Sequence, residues 1–490
     1  MTEVITDRKI FEYDVHSLVK AFYPKEEVTV SFAEEIPESF SGYGIAYGDN
    51  CPIKVSYYRD GTALKTILSE ETITGETDRG ELKNIVKRTL YRLLTEVTEK
   101  SLPWGTLTGI RPTRLVRTMC RTEADEAWVK ERLKRDYYVS QEKLNLSFEI
   151  VKRERKVIAS SSGARGYSLY IGIPFCPTTC LYCSFTSFPI AAWRKRTGEY
   201  LDALKKEIKA VAGFFSKRPL DCIYIGGGTP TTLESAELSD LLSYVRESFD
   251  LTGLMEFSVE AGRPDSIDFQ KLRVLRNAGV NRISINPQTM NPETLAVIGR
   301  RHSVEQVRES FYLAREEGFD NINMDLILGL PGEDIAMEER TLDEIERLKP
   351  DSVTVHSMAI KRAAGMSEYL KEHEELKSVN TPEMMELAIT RCRDMGLYPY
   401  YLYRQKNMAG NFENIGFSKD GRYGIYNVLI MEEIQDIAAL GAGTVSKRVH
   451  FDMESGEPTG LIERCDNVKD VNLYIEKIDE MIGRKQKMFG

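Results

Sequence analysis

The 490-residue sequence has no uninterrupted apolar run of the roughly 18 residues that a membrane helix needs, so no integral membrane segment is expected. Its first residues, Met1-Thr-Glu-Val-Ile-Thr-Asp-Arg8, lack the basic, apolar and small-residue order of a signal peptide, which points to the cytoplasm. Positive charge is also short: 66 Lys and Arg against 75 Asp and Glu leave a formal charge of -9. That balance disfavours a nucleic-acid groove, because phosphate binding relies on a concentrated cationic face. Internal repeats and low-complexity tracts are missing. A paired-cysteine framework is missing too, since Cys51, Cys120, Cys222, Cys392 and Cys465 stand singly, as buried thiols of a reducing compartment do.

What stands out is the remaining group of cysteines, Cys176, Cys180 and Cys183, in CxxxCxxC spacing. Three thiolates around one loop can hold three irons of a 4Fe-4S cube and leave the fourth iron without a protein ligand. Such an open iron can chelate a small molecule, for instance through the amino and carboxylate groups of S-adenosylmethionine. Zinc and disulfide alternatives stay open, but zinc would be one ligand short of four, and a disulfide would leave one thiol over. The spacing favours the cluster.

From residue 167 onward, short apolar segments alternate with amphipathic ones, the signature of a parallel sheet wound by crossover helices. Strands are expected at 167–173, 222–225, 256–260, 282–285, 321–328 and 352–356, with helices at 197–215, 235–249 and 304–318. Six such strands suggest an α/β partial barrel, in which sites gather at the carboxyl ends of the strands. The first part reads as α+β, with strands at 27–32 and 51–59, a helix at 81–99 and a serine-rich linker at 159–163. The tail after Pro399 is rich in aromatics and ends in a helical run over 471–487. Three parts result: an N-terminal accessory domain over 1–160, the barrel over 165–395 and a C-terminal region over 396–490.

The motifs fall at the expected strand ends. Gly226, Gly227 and Gly228, followed by Thr229 and Pro230, let backbone approach a ligand closely and offer unhindered N–H groups. Glu260 closes the next strand and can accept from an ammonium group, although a capping or ion-pair role is its bland alternative. Gln288, Arg300 and Asp325 end the following units. An arginine can clamp a carboxylate and an aspartate can hold ribose hydroxyls, and an idle charge at Asp325 in an apolar strand would be costly. His302 reads equally as a surface or a contact residue. Arg111 and Arg114, in a compact loop, serve either a structural turn or a carboxylate contact. The basic groups Arg194-Lys195-Arg196, Arg300-Arg301, Lys361-Arg362 and Arg404 with Lys406 are solvated faces or anchors for an anionic substrate.

On these residues the chain resembles the radical S-adenosylmethionine enzymes of the oxygen-independent coproporphyrinogen III oxidase family, most closely the HemZ-type branch. The likeness is strongest over 168–356 and extends to the tail at 400–412 and 440–444, and to 107–112 near the start. The resemblance implies a radical-SAM barrel whose 4Fe-4S cluster is held by Cys176, Cys180 and Cys183. It implies that Tyr170, Gly226, Gly227, Thr229, Glu260, Gln288, Arg300 and Asp325 contact S-adenosylmethionine. It also implies a tetrapyrrole partner, an electron donor such as flavodoxin or ferredoxin, and oxidative decarboxylation of coproporphyrinogen III propionates to vinyl groups. Two positions depart from the well-studied oxidases, which have histidine at Gly172 and cysteine at Phe185. The phenylalanine matches the related haem-chaperone branch, so haem carriage without decarboxylation is one alternative, with His356, His450 and Cys465 as unassigned candidate ligands, and a haem-modifying or haem-opening radical methyltransferase of the same superfamily is another.

Overall fold

The computed structural model describes the chain apart from residues 49, 121, 123, 124, 360–364, 374, 375, 377, 378, 406–411, 453, 455 and 457. The basic residues Lys361, Arg362 and Lys406 lie outside the described residues, as does part of the aromatic tail. The chain divides into two compact units, 1–151 and 152–490.

The first unit contains β1 (Thr2–Thr6), α1 (Glu12–Phe22), β2 (Val28–Phe32), β3 (Gly42–Ala46), β4 (Pro52–Arg59), β5 (Thr62–Thr72), α2 (Arg79–Thr98), α3 (Thr113–Met119), α4 (Glu126–Tyr137) and the start of α5 (Gln141–Ser160). Its sheet runs β2-β1-β3-β4-β5. Val15, Leu18 and Val19 on α1, with Leu90 and Leu94 on α2, recur at helical spacing and bury against Val4, Tyr43, Ile45 and Val55. This is the expected α+β mixture. The expectation passed over β1, β3 and β5; most of β5 is exposed, so it carries little apolar alternation.

The serine-rich stretch at 159–163, expected as a linker from its composition, is held by defined hydrogen bonds. Ala159 and Ser160 complete α5, and the hydroxyls of Ser160 and Ser161 donate to the carbonyls of Val157 and Ile158, both at 2.8 Å. Serines here satisfy the orphan carbonyls of a helix end. The Ser162 amide and hydroxyl then donate to Asp221 at 2.8 and 2.7 Å, which ties the exit of the helix to the barrel.

In the second unit β6 (Tyr167–Ile173) leads into β7 (Phe175–Cys176) and β8 (Phe188–Pro189), which pair with each other on either side of the cysteine loop. Then follow α6 (Ile190–Trp193), α7 (Thr197–Phe214), β9 (Leu220–Gly227), α8 (Ser235–Ser248), β10 (Glu256–Gly262), α9 (Phe269–Asn277), β11 (Arg282–Ile285), α10 (Pro292–Val297), α11 (Val304–Glu316), β12 (Ile322–Leu328), α12 (Ile335–Leu348) and β13 (Ser352–Ser357). All six expected strands are present, and they lie side by side and parallel in the order β6-β9-β10-β11-β12-β13. Their near-continuous apolar composition suits strands covered on both faces. Parallel direction places all their carboxyl ends on one side, so the motifs converge there.

The C-terminal elements are α13 (Met366–Glu372), α14 (Pro382–Asp394), β14 (Tyr398–Tyr403), β15 (Asn414–Ser418), α15 (Ile425–Glu432), β16 (Asp436–Leu440), β17 (Val445–Phe451), β18 (Pro458–Asp466), α16 (Val471–Glu476) and α17 (Ile478–Phe489). They extend the sheet at both edges. β15 pairs antiparallel with β13, and β16 pairs parallel with β6. The helical run expected over 471–487 is thus two helices, α16 and α17, meeting at Lys477.

Candidate active site

The cysteine loop leaves β7 at Cys176 and is anchored at several points. The Cys183 amide donates to the Cys180 carbonyl at 3.1 Å, the Leu181 amide to Ile298 at 3.1 Å, and the Thr178 hydroxyl to Gly299 at 3.1 Å. Arg263, only 2% exposed, donates to the Thr178 carbonyl and hydroxyl at 3.0 and 2.7 Å and reaches Cys180 Sγ at 4.0 Å. Asp265 fixes that guanidinium through two bonds, at 2.9 and 2.7 Å. The Thr229 hydroxyl donates to Cys176 Sγ at 3.6 Å. Burial pushes the Cys176 thiol up to about 11, against the pull of Thr229, and burial also raises Cys183. Bound iron removes that obstacle, because a coordinated thiol is deprotonated outright. None of the three is in a disulfide. Among the described residues no three His, Cys, Asp or Glu side chains converge on a single metal ion; a cube binds each thiolate to a different iron and asks for no such convergence.

The glycine turn after β9 is built by close approach. Gly227 has φ +104°, a conformation disfavoured for any residue with a side chain. A Cβ on Gly228 would stand 2.5 Å from the Phe175 carbonyl oxygen. The turn is less generous in free donors than expected, since the amides of Gly228 and Thr229 donate to Ile173 and Phe175, both at 2.7 Å. Those bonds stitch the turn to the segment entering the cysteine loop.

Around it the strand ends form one polar web whose centre is Asn286, 6% exposed. Its side-chain amide donates to Glu260 Oε2 at 2.8 Å, its backbone carbonyl accepts from Arg300 Nη1 at 2.5 Å, and its Oδ1 accepts from the Asp325 amide at 3.3 Å. The Tyr224 hydroxyl donates to the other Glu260 oxygen. Burial, then the charge of Asp325, pushes Glu260 up to about 7. Burial acts the same way on Asp325, yet His356 and Asn323 pull its carboxyl below the ordinary value. Arg300 Nη2 donates to the Tyr182 hydroxyl at 3.0 Å. Gln288 sits at φ +69°, unusual for a residue with a side chain, and links β11 to β12 through its amide to Asp325 at 3.0 Å and its carbonyl to Ile327 at 2.9 Å. Tyr170 stacks on Tyr224 and Tyr426, with ring centroids 6.0 and 6.1 Å apart.

Of the site residues singled out in the sequence, Tyr170 and Asp325 stand at the midpoints of β6 and β12, Glu260 lies in the carboxyl half of β10, Gly226, Gly227 and Thr229 fall at or just past the end of β9, Gln288 follows β11, and Arg300 follows α10. Asn286, Tyr224, Tyr182 and Arg263 were passed over, because uncharged or loop residues draw attention only once their partners are known. His302 proves buried, 3% exposed, and burial then Arg300 lower it to about 4, so it is neutral.

Parallel strands, three loop cysteines and a glycine turn define a radical S-adenosylmethionine fold, and the sequence signature of the Radical SAM superfamily matches residues 170–345. The oxygen-independent coproporphyrinogen-III oxidase-like protein HemZ of Bacillus subtilis is 37% identical over 481 residues, 96% of this chain and 94% of its own length. The chain belongs to that family of oxygen-independent coproporphyrinogen-III oxidase-like proteins. The heme chaperone HemW of Bacillus subtilis is 38% identical over 39% of this chain and 50% of its own length. The structure of coproporphyrinogen III oxidase (HemN) from Escherichia coli has the same fold, with a TM-score of 0.51 and 24% identity over 67% of this chain and 72% of that one.

The superfamily's cofactors, a 4Fe-4S cluster and S-adenosylmethionine, are those of this chain. The residues present fit them. Three thiols share one anchored loop, a glycine cradle lies beside it, and among the described residues Arg300 Nε and Gln288 Oε1 are buried without a hydrogen-bond partner. These two atoms are available to polar groups of a ligand. No helix among the described residues is long and apolar enough to cross a membrane.

Proposed function

We propose that this protein is an oxygen-independent decarboxylase of tetrapyrrole propionates, acting on coproporphyrinogen III and producing vinyl groups. The supporting observation is the Asn286-centred web, which joins Glu260, Arg300 and Asp325 into one polar wall at the strand ends. Cys176, Cys180 and Cys183 hold the cluster. Glu260 accepts from the amino group of S-adenosylmethionine, Arg300 and Gln288 offer polar atoms for its remaining groups, Asp325 holds ribose hydroxyls, and Tyr170 with the Gly226, Gly227 and Thr229 turn lines the methionine end. Bound there, the cluster and S-adenosylmethionine would supply the one-electron chemistry that removes a propionate hydrogen; loss of carbon dioxide, and of one electron to an acceptor, would then leave the vinyl group. The chain's share is to orient both molecules and exclude water. A small electron-transfer protein such as flavodoxin or ferredoxin would deliver the electron.

A second reading, haem carriage, is favoured by Phe185, which stands 72% exposed two residues beyond the last cluster cysteine. Against it, both ring nitrogens of His356 face protein groups, and His450 Nε2 lies 2.5 Å from Glu463.

The test is anaerobic reconstitution with S-adenosylmethionine, a reductant and coproporphyrinogen III. Protoporphyrin product and 5'-deoxyadenosine support the decarboxylase. Stoichiometric haem binding with no product would move the assignment to the chaperone.

A further inference from the structure

Asp325 has a neighbour outside the Asn286 web. On β12 its Oδ1 accepts from Asn323 Nδ2 at 2.7 Å, while Oδ2 lies 3.7 Å from Nε2 of His356 on the adjacent β13. On its other side, His356 Nδ1 is 3.4 Å from the Tyr403 hydroxyl of β14, with the two rings 6.5 Å apart and nearly perpendicular at 69°. Three strands thus contribute one residue each to a line running Tyr403, His356, Asp325. The carboxylate can only accept, so the imidazole N–H belongs on Nε2, which leaves Nδ1 to accept the Tyr403 hydroxyl proton. The ring is held from both edges and has one useful orientation. Its side chain is 26% exposed and that of Asp325 18%, so solvent screening is limited.

The 3.7 Å separation is long for a hydrogen bond and short for an electrostatic contact. The imidazole therefore attracts the carboxylate without occupying the lone pairs that a ligand's hydroxyls would use.

We propose that His356, locked by Tyr403, is a positioning residue for Asp325, aiming that carboxylate at the paired ribose hydroxyls of S-adenosylmethionine. The inference rests on Asp325 being the ribose contact. It follows that His356 discriminates in favour of the hydroxylated ribose without touching the chemistry at the cluster.

The experiment measures equilibrium binding of S-adenosylmethionine and of its 2',3'-dideoxy analogue to the full-length, cluster-loaded protein, with iron content and melting temperature recorded for each variant. The native protein should prefer the hydroxylated ligand by roughly tenfold, the value of a hydrogen bond to a charged group. His356→Ala should lose most of that preference while binding the dideoxy ligand as before, His356→Gln should recover part of it, and Tyr403→Phe should lose a smaller part. Equal weakening of both ligands, or an undiminished preference in His356→Ala, would overturn the proposal. Asp325→Asn separates the two layers. If it abolishes the preference and His356→Ala does not, only the role of His356 falls; if it leaves the preference intact, the ribose assignment falls and this inference with it.

Discussion

Lys485 Nζ lies 2.7 Å from Glu207 Oε1, and both side chains are fully buried. Glu207 also accepts from the Tyr474 hydroxyl at 2.6 Å, the Gly441 amide at 2.8 Å and Asn467 at 2.9 Å. Gly441 opens the turn after β16, and the Tyr200 hydroxyl beside it donates to the Gly172 carbonyl at 2.6 Å. The last helix is thereby tied to the end of the first barrel strand. Removing one partner leaves an uncompensated buried charge, so Lys485→Ala should destabilise the protein by about 3–5 kcal/mol in chemical denaturation. Replacing the pair together, as Glu207→Leu with Lys485→Met, should cost less. An unchanged midpoint in Lys485→Ala would contradict this role for the pair.

Gly172 has little room for a side chain. A Cβ there would stand 2.6 Å from Thr444 Cγ2 and 3.3 Å from the Leu440 carbonyl. Gly172→Ala should therefore lower the melting temperature and the iron retained after reconstitution, and Thr444→Gly should restore most of both. Additive losses in the double variant would show that the two positions do not compete for space.

Glu338 on α12 is 3% exposed, and among the described residues neither of its oxygens has a hydrogen-bond partner. Burial, then the charge of Glu333, pushes it from 4.5 up to about 8. The folded state holds this proton more tightly than the unfolded one, so stability falls as pH rises from the unfolded value towards the folded one. Glu338→Gln should match the native protein near pH 4 and exceed it by about 2 kcal/mol or more above pH 8, since each tenfold difference in proton affinity between the two states is worth ~1.4 kcal/mol. Denaturation curves across that range decide it.

Glu260, pushed up to about 7 by burial and then by Asp325, is half protonated near neutrality. An iron-bound amino group donates its N–H best to the carboxylate form. Affinity for S-adenosylmethionine should rise as pH climbs from 6 to 8, and Glu260→Gln should bind more weakly and with a shallower slope than the native protein. Equilibrium dialysis at several pH values is the check; a native profile as flat as the variant's would sink the assignment.

Much of the barrel was legible because each parallel strand is buried on both faces, so runs such as Ile322–Leu328 carry their own signal. The cysteine loop and the Gly226–Gly228 turn were legible because their spacing states their chemistry. Asn286 was not: nothing local distinguishes it from a turn asparagine, and its importance comes from three partners on three different segments. Exposed β5 and Ser160, the last residue of α5, misled for the reverse reason, their composition resembling that of a loop.

Local periodicity and residue chemistry alone determined the α/β alternation, the three candidate thiolate ligands and the row of polar residues at strand ends, because each depends on neighbours within a few positions. Tertiary structure decided the rest. It brought β15 and β16 from the tail to opposite sides of the six barrel strands, set His356 between Tyr403 and Asp325, and buried Lys485 against Glu207. Those pairings join residues far apart in the chain, and only the closing of the sheet and its helices reveals which polar groups must satisfy one another.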